Sequence, residues 1–314
     1  MPEVSVIIPL YGVHRGRSVL PAVVRAWLAQ DVSCEVLVAA TGQIPAGLPR
    51  DLDAERTVRV LNDDDSLTTP GLLRNRAAAH ARAPRLYLSD ADVLPLGDDY
   101  VRRAIALAAD DVFCQPWMHR LSGDIGHGER FGLARTPTYR FCFVRAVANG
   151  SLHPVGGERF RMRRPGGALP DNDVLAVLPP LSDLVAGVPE KQQWEVAFHW
   201  GALLLDRGLF ADLGGYCRGY RGWGSEDDDL LVKVASRHHL TRAWRIDPTL
   251  ACLHFEHPRQ PVEKNQAIAN RALYHERIAA GADAMVTEDL ADQERCTTYG
   301  GATSMSISAM SRSI

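Results

Sequence analysis

The sequence predicts an α/β fold: a mostly parallel sheet with helices on both faces. Two observations carry that prediction. Short β-branched apolar runs, the first being Val4-Ser-Val-Ile-Ile-Pro-Leu10, read as strands buried on both faces. Segments with apolar residues at helical spacing separate them, and the two kinds alternate through residues 4–115, which is how successive strands come to lie parallel in one sheet.

The elements follow in order. After the first strand, residues 18–30 place Val19, Val23, Trp27 and Leu28 on one helical face behind a Ser18 N-cap. Residues 35–39 and 57–61 are the second and third strands. An Ala- and Arg-rich helix over 71–83 stops at Pro84, and a fourth strand over 85–89 runs directly into Asp90-Ala91-Asp92. A helix over 98–109 and a strand over 111–115 continue the alternation. The middle is less regular: residues 120–135 are Gly- and Arg-rich, and 153–190 read as a flexible loop. Pattern returns with a strand over 197–206, a turn at Gly214-Gly215, a helix opening at the acidic block 226–229, a strand over 241–253 and a helix over 260–281. The tail from Thr297 lacks a core pattern and reads as disordered. The implied division is 1–115, a ligand-binding half; 116–258, a second half carrying the acidic block; and 259–314, a C-terminal helix and tail.

Composition narrows the class. The chain has 314 residues, 46% hydrophobic and 23% charged, which is ordinary for a globular protein and excludes wholesale disorder. Lys plus Arg number 35 against 38 Asp plus Glu, so no basic excess exists to displace counterions from a nucleic-acid backbone. The six cysteines, at 34, 114, 142, 217, 252 and 296, form no CxxC and fit a reducing compartment. The N-terminus is not of signal-peptide type and no run approaches the ~18 apolar residues of a membrane span, so a cytoplasmic location is expected.

Three groups carry chemistry. Asp90 and Asp92 follow a buried strand, where ligands bind in such sheets, and two carboxylates at that spacing suit Mg²⁺ or Mn²⁺; a bare Asp-x-Asp is also compatible with a solvated turn. Glu226, Asp227, Asp228 and Asp229 open a helix, whose N-terminus by itself favours acids. The macrodipole does not explain Gly222-Trp223-Gly224, a turn that exposes an aromatic face suited to a sugar ring beside a carboxylate general base. His254-x-x-His257 supplies imidazoles that, with Asp92, would make a mixed nitrogen–oxygen metal site favouring Mn²⁺; the other reading is one structural and one surface histidine.

These motifs together resemble the family-2-type glycosyltransferases of the GT-A fold. Val4 to Tyr11 resembles their opening strand, Leu73-Arg-Asn-Arg76 their Ala-Arg-Asn helix start, and Leu88-Ser-Asp-Ala-Asp-Val93 their Asp-x-Asp strand end. Gly222-Trp-Gly-Ser-Glu-Asp-Asp-Asp229 is similar to the block shared by β-1,4-galactosyltransferases, polypeptide N-acetylgalactosaminyltransferases and chondroitin-type polymerases. The resemblance spans residues 4–258. It implies that Pro9, Tyr11, Arg74, Asn75, Asp90, Ala91 and Asp92 bind the donor, and that Asp92 holds a divalent cation together with His254, His257 or both. It further implies that Trp223, Gly224, Glu226 and Asp227 bind the acceptor, with Asp227 as the base and Glu226 orienting the acceptor. One departure stands out: Ala39-Ala-Thr-Gly42 lies where relatives often have Asp-Asp-Gly-Ser.

The expected activity is inverting, metal-dependent sugar transfer from a nucleoside diphosphate sugar, with UDP as the expected carrier, to a hydroxyl of a small soluble sugar or cyclitol. Two rivals remain. A sugar-phosphate nucleotidyltransferase would release pyrophosphate and gives no role to the Gly-Trp-Gly block. A non-catalytic nucleotide-sugar-binding protein would bind the donor and have no turnover for Asp227→Asn to abolish.

Overall fold

The structure is a computed structural model. It describes residues 1–11, 15–48, 56–63, 69–109, 111–122, 138–143, 151–156, 159–163, 174–178, 190–196, 198–247, 249–255 and 264–304.

The strands of the first sheet are β1 (Val4–Leu10), β2 (Cys34–Thr41), β3 (Val58–Asp63), β4 (Arg85–Leu88), β6 (Val112–Cys114), β13 (Leu203–Asp206) and β14 (Leu240–Arg242). Their order is β14-β6-β13-β4-β1-β2-β3. Every neighbouring pair is parallel except the two that β13 makes, antiparallel to β4 and β6. Strands from both sides of residue 115 therefore share one sheet.

Both faces are covered, as a continuous apolar strand requires. Val4, Val6, Ile8 and Leu10 of β1 face a core built with α1 (Leu20–Leu28) and α3 (Tyr100–Ala108), where Trp27, Tyr87, Tyr100 and Phe113 pack edge to face or tilted. Ile7 faces the opposite core with α2 (Pro70–Ala79), α4 (Arg207–Asp212) and α5 (Glu226–Arg237). Glu35 and Ser5 sit on that second side, and Glu35 is buried with its acceptors filled by the Ser5 hydroxyl, the Arg82 amide and guanidinium, and Arg59.

Several boundaries differ from the sequence reading, each for a local reason. Ser18 ends a 3₁₀ turn, Arg15–Ser18, and the N-cap of α1 is Val19, whose side chain has no acceptor to offer; Pro21 in the first turn leaves one amide fewer to cap. Helix α2 stops at Ala79 rather than Ala83, because the Arg82 amide is drawn to Glu35 and the Ala83 amide to Ser5. The expected strand over 197–206 shortens to Leu203–Asp206, preceded by a turn and a single bridge at Phe198. The expected strand over 241–253 is two strands, β14 and β15 (Ala251–Phe255), with the short helix α6 (Ala243–Ile246) between them.

The irregular middle also contains strands. β7 (Trp117–Ser122), β8 (Thr138–Phe143), β9 (Ser151–Gly156), β10 (Arg159–Arg163), β11 (Val174–Leu178) and β12 (Glu190–Val196) form a second sheet with β15 and with β5 (Val93–Pro95). The segment read as loop 153–190 thus includes three strands; residues 164–173 and 179–189 lie outside the described residues. At the C-terminus, α7 (Lys264–Ala280) and α8 (Ala282–Ser304) extend helix past Thr297, where disorder was expected; residues 305–314 lie outside the described ones.

Candidate functional site

Three chain segments meet at the carboxyl ends of β1 and β4. Tyr11 follows β1, and Ser89-Asp90-Ala91-Asp92 follows β4. Because β13 runs antiparallel with Leu203 opposite Leu88, the residues just before it, 198–202, arrive at that same end. The acidic first turn of α5 completes the group.

Arg74, projecting from α2 and almost fully buried, joins them. Its Nη2 donates to Asp90 Oδ1 at 2.5 Å and its Nη1 to Asp227 Oδ1 at 3.1 Å. Its guanidinium lies 5.4 Å from the Tyr216 ring centroid, and the Tyr216 hydroxyl donates to the same Asp227 oxygen at 3.1 Å. Asp227 Oδ2 has no hydrogen-bond partner among the described residues. It hangs over Gly201, where an added Cβ would come within 2.8 Å of it. His199 Nε2 sits 2.9 Å from Asp90 Oδ2.

The neighbouring acids are held differently. Glu226 is buried, and its Oε2 accepts the Gly224 amide at 2.8 Å. Burial first, and then the Asp227 charge, push its carboxyl up to about 8 against the pull of Arg74, so it holds its proton at neutral pH. Asp228 accepts the Trp200 indole at 2.7 Å, and burial raises it above the usual carboxylate range although that bond pulls the other way. Burial, with the Asp90 and Glu226 charges behind it, raises the Tyr11 phenol, so Tyr11 remains a neutral donor.

The second sheet is anchored on the Asp-x-Asp turn. His254 of β15 lies opposite Val93 of β5, and the Phe255 amide donates to the Asp92 carbonyl at 2.9 Å. The buried Asp92 carboxylate consequently faces His254, with Oδ2 to Nε2 at 3.6 Å. That is too long for a hydrogen bond and of the order of the separation between two ligands of one divalent cation, so these donors fit a hard or borderline metal. His257, the third expected ligand, lies outside the described residues; among the described ones no group of three or more His, Cys, Asp or Glu is arranged around a metal position.

Of the residues singled out from sequence, Tyr11, Arg74, Asp90, Asp92, Glu226, Asp227 and His254 converge here. Trp223 is 60% exposed on the turn before α5, and Gly222 and Gly224 have φ of +60° and +114° that permit that turn. Others face elsewhere. Asn75 uses its amide on the backbone of Tyr216, donating to its carbonyl at 2.8 Å and accepting its N–H at 2.7 Å. The Ala91 side chain is buried in the core with Tyr87, and Pro9 is buried within β1 opposite Ala39. His199, Trp200, Gly201 and Tyr216 belong to the cluster and were not anticipated. The available signal was Trp200-Gly201, a second Trp-Gly step like Trp223-Gly224.

Comparison with known proteins bears on the same segment. Residues 189–258, which run from β12 through the acidic block to His254-x-x-His257, match the family model described as the N-terminal domain of galactosyltransferase. Over that segment the chain is similar to glycosyltransferases. Among solved structures, S. aureus TarS 1–349 is similar at 14% identity and a TM-score of 0.39, over 74% of this chain and 55% of that one. Its complex with UDP is similar at 13% identity and a TM-score of 0.40, over 82% of this chain and 61% of that one. The chain thus spans little more than half the length of these structures. No curated protein matches it. No helix among the described residues is long and apolar enough to cross a membrane.

Proposed function

We propose that the protein is an inverting glycosyltransferase, moving a sugar from a nucleoside diphosphate sugar to a hydroxyl of a small soluble sugar or cyclitol. The observation that carries this reading is Arg74, which ties Asp90 at the strand end to Asp227 at the start of α5. The family match over residues 189–258 supports it. In this reading residues 1–115 bind the nucleotide, with UDP the first carrier to try, and residues 116–258 bind the acceptor.

Asp227 Oδ2 is the base. It takes the proton of the acceptor hydroxyl; that oxygen forms a bond to the anomeric carbon as the bond from that carbon to the diphosphate oxygen breaks, releasing the nucleoside diphosphate. Arg74 and Tyr216 fix the carboxylate through Oδ1 so that Oδ2 remains the accepting atom. Protonated Glu226 donates a hydrogen bond to the acceptor and orients it, and Trp223 offers its face to the sugar ring. Asp92, His254 and His257 would hold Mn²⁺ or Mg²⁺, which when bound neutralises charge on the diphosphate.

The test is a panel of UDP-, GDP- and dTDP-sugars with glucose, N-acetylglucosamine or inositol as acceptor, in Mn²⁺, Mg²⁺ or EDTA. The expected result is metal-dependent release of a nucleoside diphosphate with a glycosylated product, abolished in Asp227→Asn. Release of pyrophosphate would point to nucleotidyl transfer instead, and absence of nucleotide-sugar binding would refute the reading.

A further inference from the structure

Asn270 lies in the middle of α7, in a segment that carries none of the motifs. It is 3% exposed, yet everything it bonds belongs to the exposed turn before α5. Its Nδ2 donates to the carbonyls of Arg221 at 2.8 Å, Gly224 at 3.1 Å and Trp223 at 3.3 Å, and its Oδ1 accepts the Arg221 amide at 3.2 Å. Three carbonyls share two amide hydrogens, so at least one hydrogen is bifurcated. A single side chain therefore holds the backbone of three residues, Arg221, Trp223 and Gly224, in the place of a strand partner.

The turn needs such a hold. Gly222, Gly224 and Ser225 all have positive φ, at +60°, +114° and +69°, and Ser225 is not a glycine. Left-handed backbone of this kind persists where surrounding bonds over-determine it. The turn in question presents Trp223 to solvent and aims the Gly224 amide at Glu226. Asn270 thus lies behind both the exposed aromatic face and the carboxyl beside Asp227, while touching neither Asp90 nor Arg74.

We propose that Asn270 is a positioning residue for the acceptor subsite, holding the Trp223-Gly224 turn so that the indole face is set for a carbohydrate ring next to Asp227. The assignment of an acceptor to this face rests on the proposed function; the hold on the turn does not.

The test uses the full chain labelled with 5-fluorotryptophan, the ¹⁹F resonance of Trp223 being identified by its loss in Trp223→Phe. Asn270→Asp, which keeps the acceptor oxygen and loses the donor, and Asn270→Ser are compared with the parent. In each, the Trp223 resonance should shift or broaden while the other five tryptophans keep theirs. With the sugar or inositol that turns over in the panel, Asn270→Asp should raise the acceptor KM at least tenfold and change the donor KM less than twofold. Adding Asn270→Asp to Trp223→Phe should cost no further acceptor affinity. An unmoved Trp223 resonance would overturn the proposal, as would movement of all six resonances in both variants, which would make Asn270 a folding residue. Additive effects on the acceptor KM would overturn it too. A Trp223-confined shift in a protein that transfers no sugar would instead remove the functional reading and leave the hold on the turn standing.

Discussion

The two sides of α5 treat the same residue type in opposite ways. Asp227, facing the sheet end, is 25% exposed, accepts Arg74 and Tyr216 on one oxygen and leaves the other without a hydrogen-bond partner among the described residues. Two residues on, Asp229 faces α7 and α8 and is completely buried. It accepts Arg277 Nε at 2.6 Å and the Tyr220 hydroxyl at 3.0 Å, with the Lys233 ammonium 3.9 Å away. Lys233 and Arg277 both also reach Asp289, at 2.5 and 2.7 Å, and Lys233 donates to the carbonyls of Leu213 and Gly215. The helical rotation of ~100° per residue sorts an acidic run into a site and a latch. The two meet at the Gly214-Gly215-Tyr216 turn, which Lys233 holds from below and Asn75 from the side, so the buried network fixes the tyrosine that fixes Asp227.

Mutations should separate these roles. Asp227→Asn removes the base and is expected to lower kcat by about 10²–10⁴ while its urea-unfolding midpoint stays close to that of the parent. Arg277→Met, by contrast, leaves Asp229 and Asp289 to share one ammonium inside the protein. Breaking a buried ionic network of this kind costs ~3–5 kcal/mol, so the midpoint should fall sharply, while the protein that remains folded keeps its KM for donor. If Asp227→Asn unfolded as readily as Arg277→Met, the distinction between the two faces would be lost.

Gly201→Ala sharpens the same contrast at intermediate size. The new Cβ would come within 2.8 Å of Asp227 Oδ2 and 3.1 Å of its Cγ. The carboxylate cannot swing aside without giving up Arg74 or Tyr216. Turnover should drop tenfold or more, read in the transfer assay, and stability should change by less than ~1 kcal/mol because the clash is with one side chain that is a quarter exposed.

How much of this was legible in the sequence depended on the range of the interactions. β1, β2 and β4 are legible because strands buried on both faces must be apolar throughout. Asp90, Asp92, Glu226 and Asp227 are legible because their spacing relative to a strand end and a helix start is local. The second sheet is not: Arg159-Phe-Arg-Met-Arg163 alternates as a strand should, but its arginines read as loop. His199 and Tyr216 carry no local signal either. His199 reaches Asp90 only because β13 runs back antiparallel to β4, and Tyr216 reaches Asp227 through a turn held by an amide from α2. Both depend on pairings across 109 and 141 residues of chain, which no periodicity encodes.

The smallest effect expected concerns Glu226, where two buried carboxyls can be compared by pH. In the unfolded chain its carboxyl ionises near the ordinary value of 4.5, whereas in the folded protein burial and Asp227 hold the proton until about 8. Between those values the folded state binds more protons than the unfolded state, so this group makes stability fall as pH rises. Below 4.5 both states are protonated and the penalty vanishes; above 8 it is fully present. Glu226→Gln, which is neutral throughout, should therefore match the parent near pH 4.5 and unfold at a higher temperature than the parent at pH 8.5, the gap opening across that window. Glu35, on β2, provides the opposite case. Its burial raises the carboxyl, but the bonds from Ser5 and Arg82 outweigh that and hold it below the ordinary value, so its contribution is present above 4.5 and lost in acid. A melting series at several pH values on Glu226→Gln and Glu35→Gln should give differences from the parent of opposite sign at neutral and higher pH. Equal slopes for the two would mean that Glu226 is ionised beside Asp227, and would remove it as a hydrogen-bond donor to the acceptor.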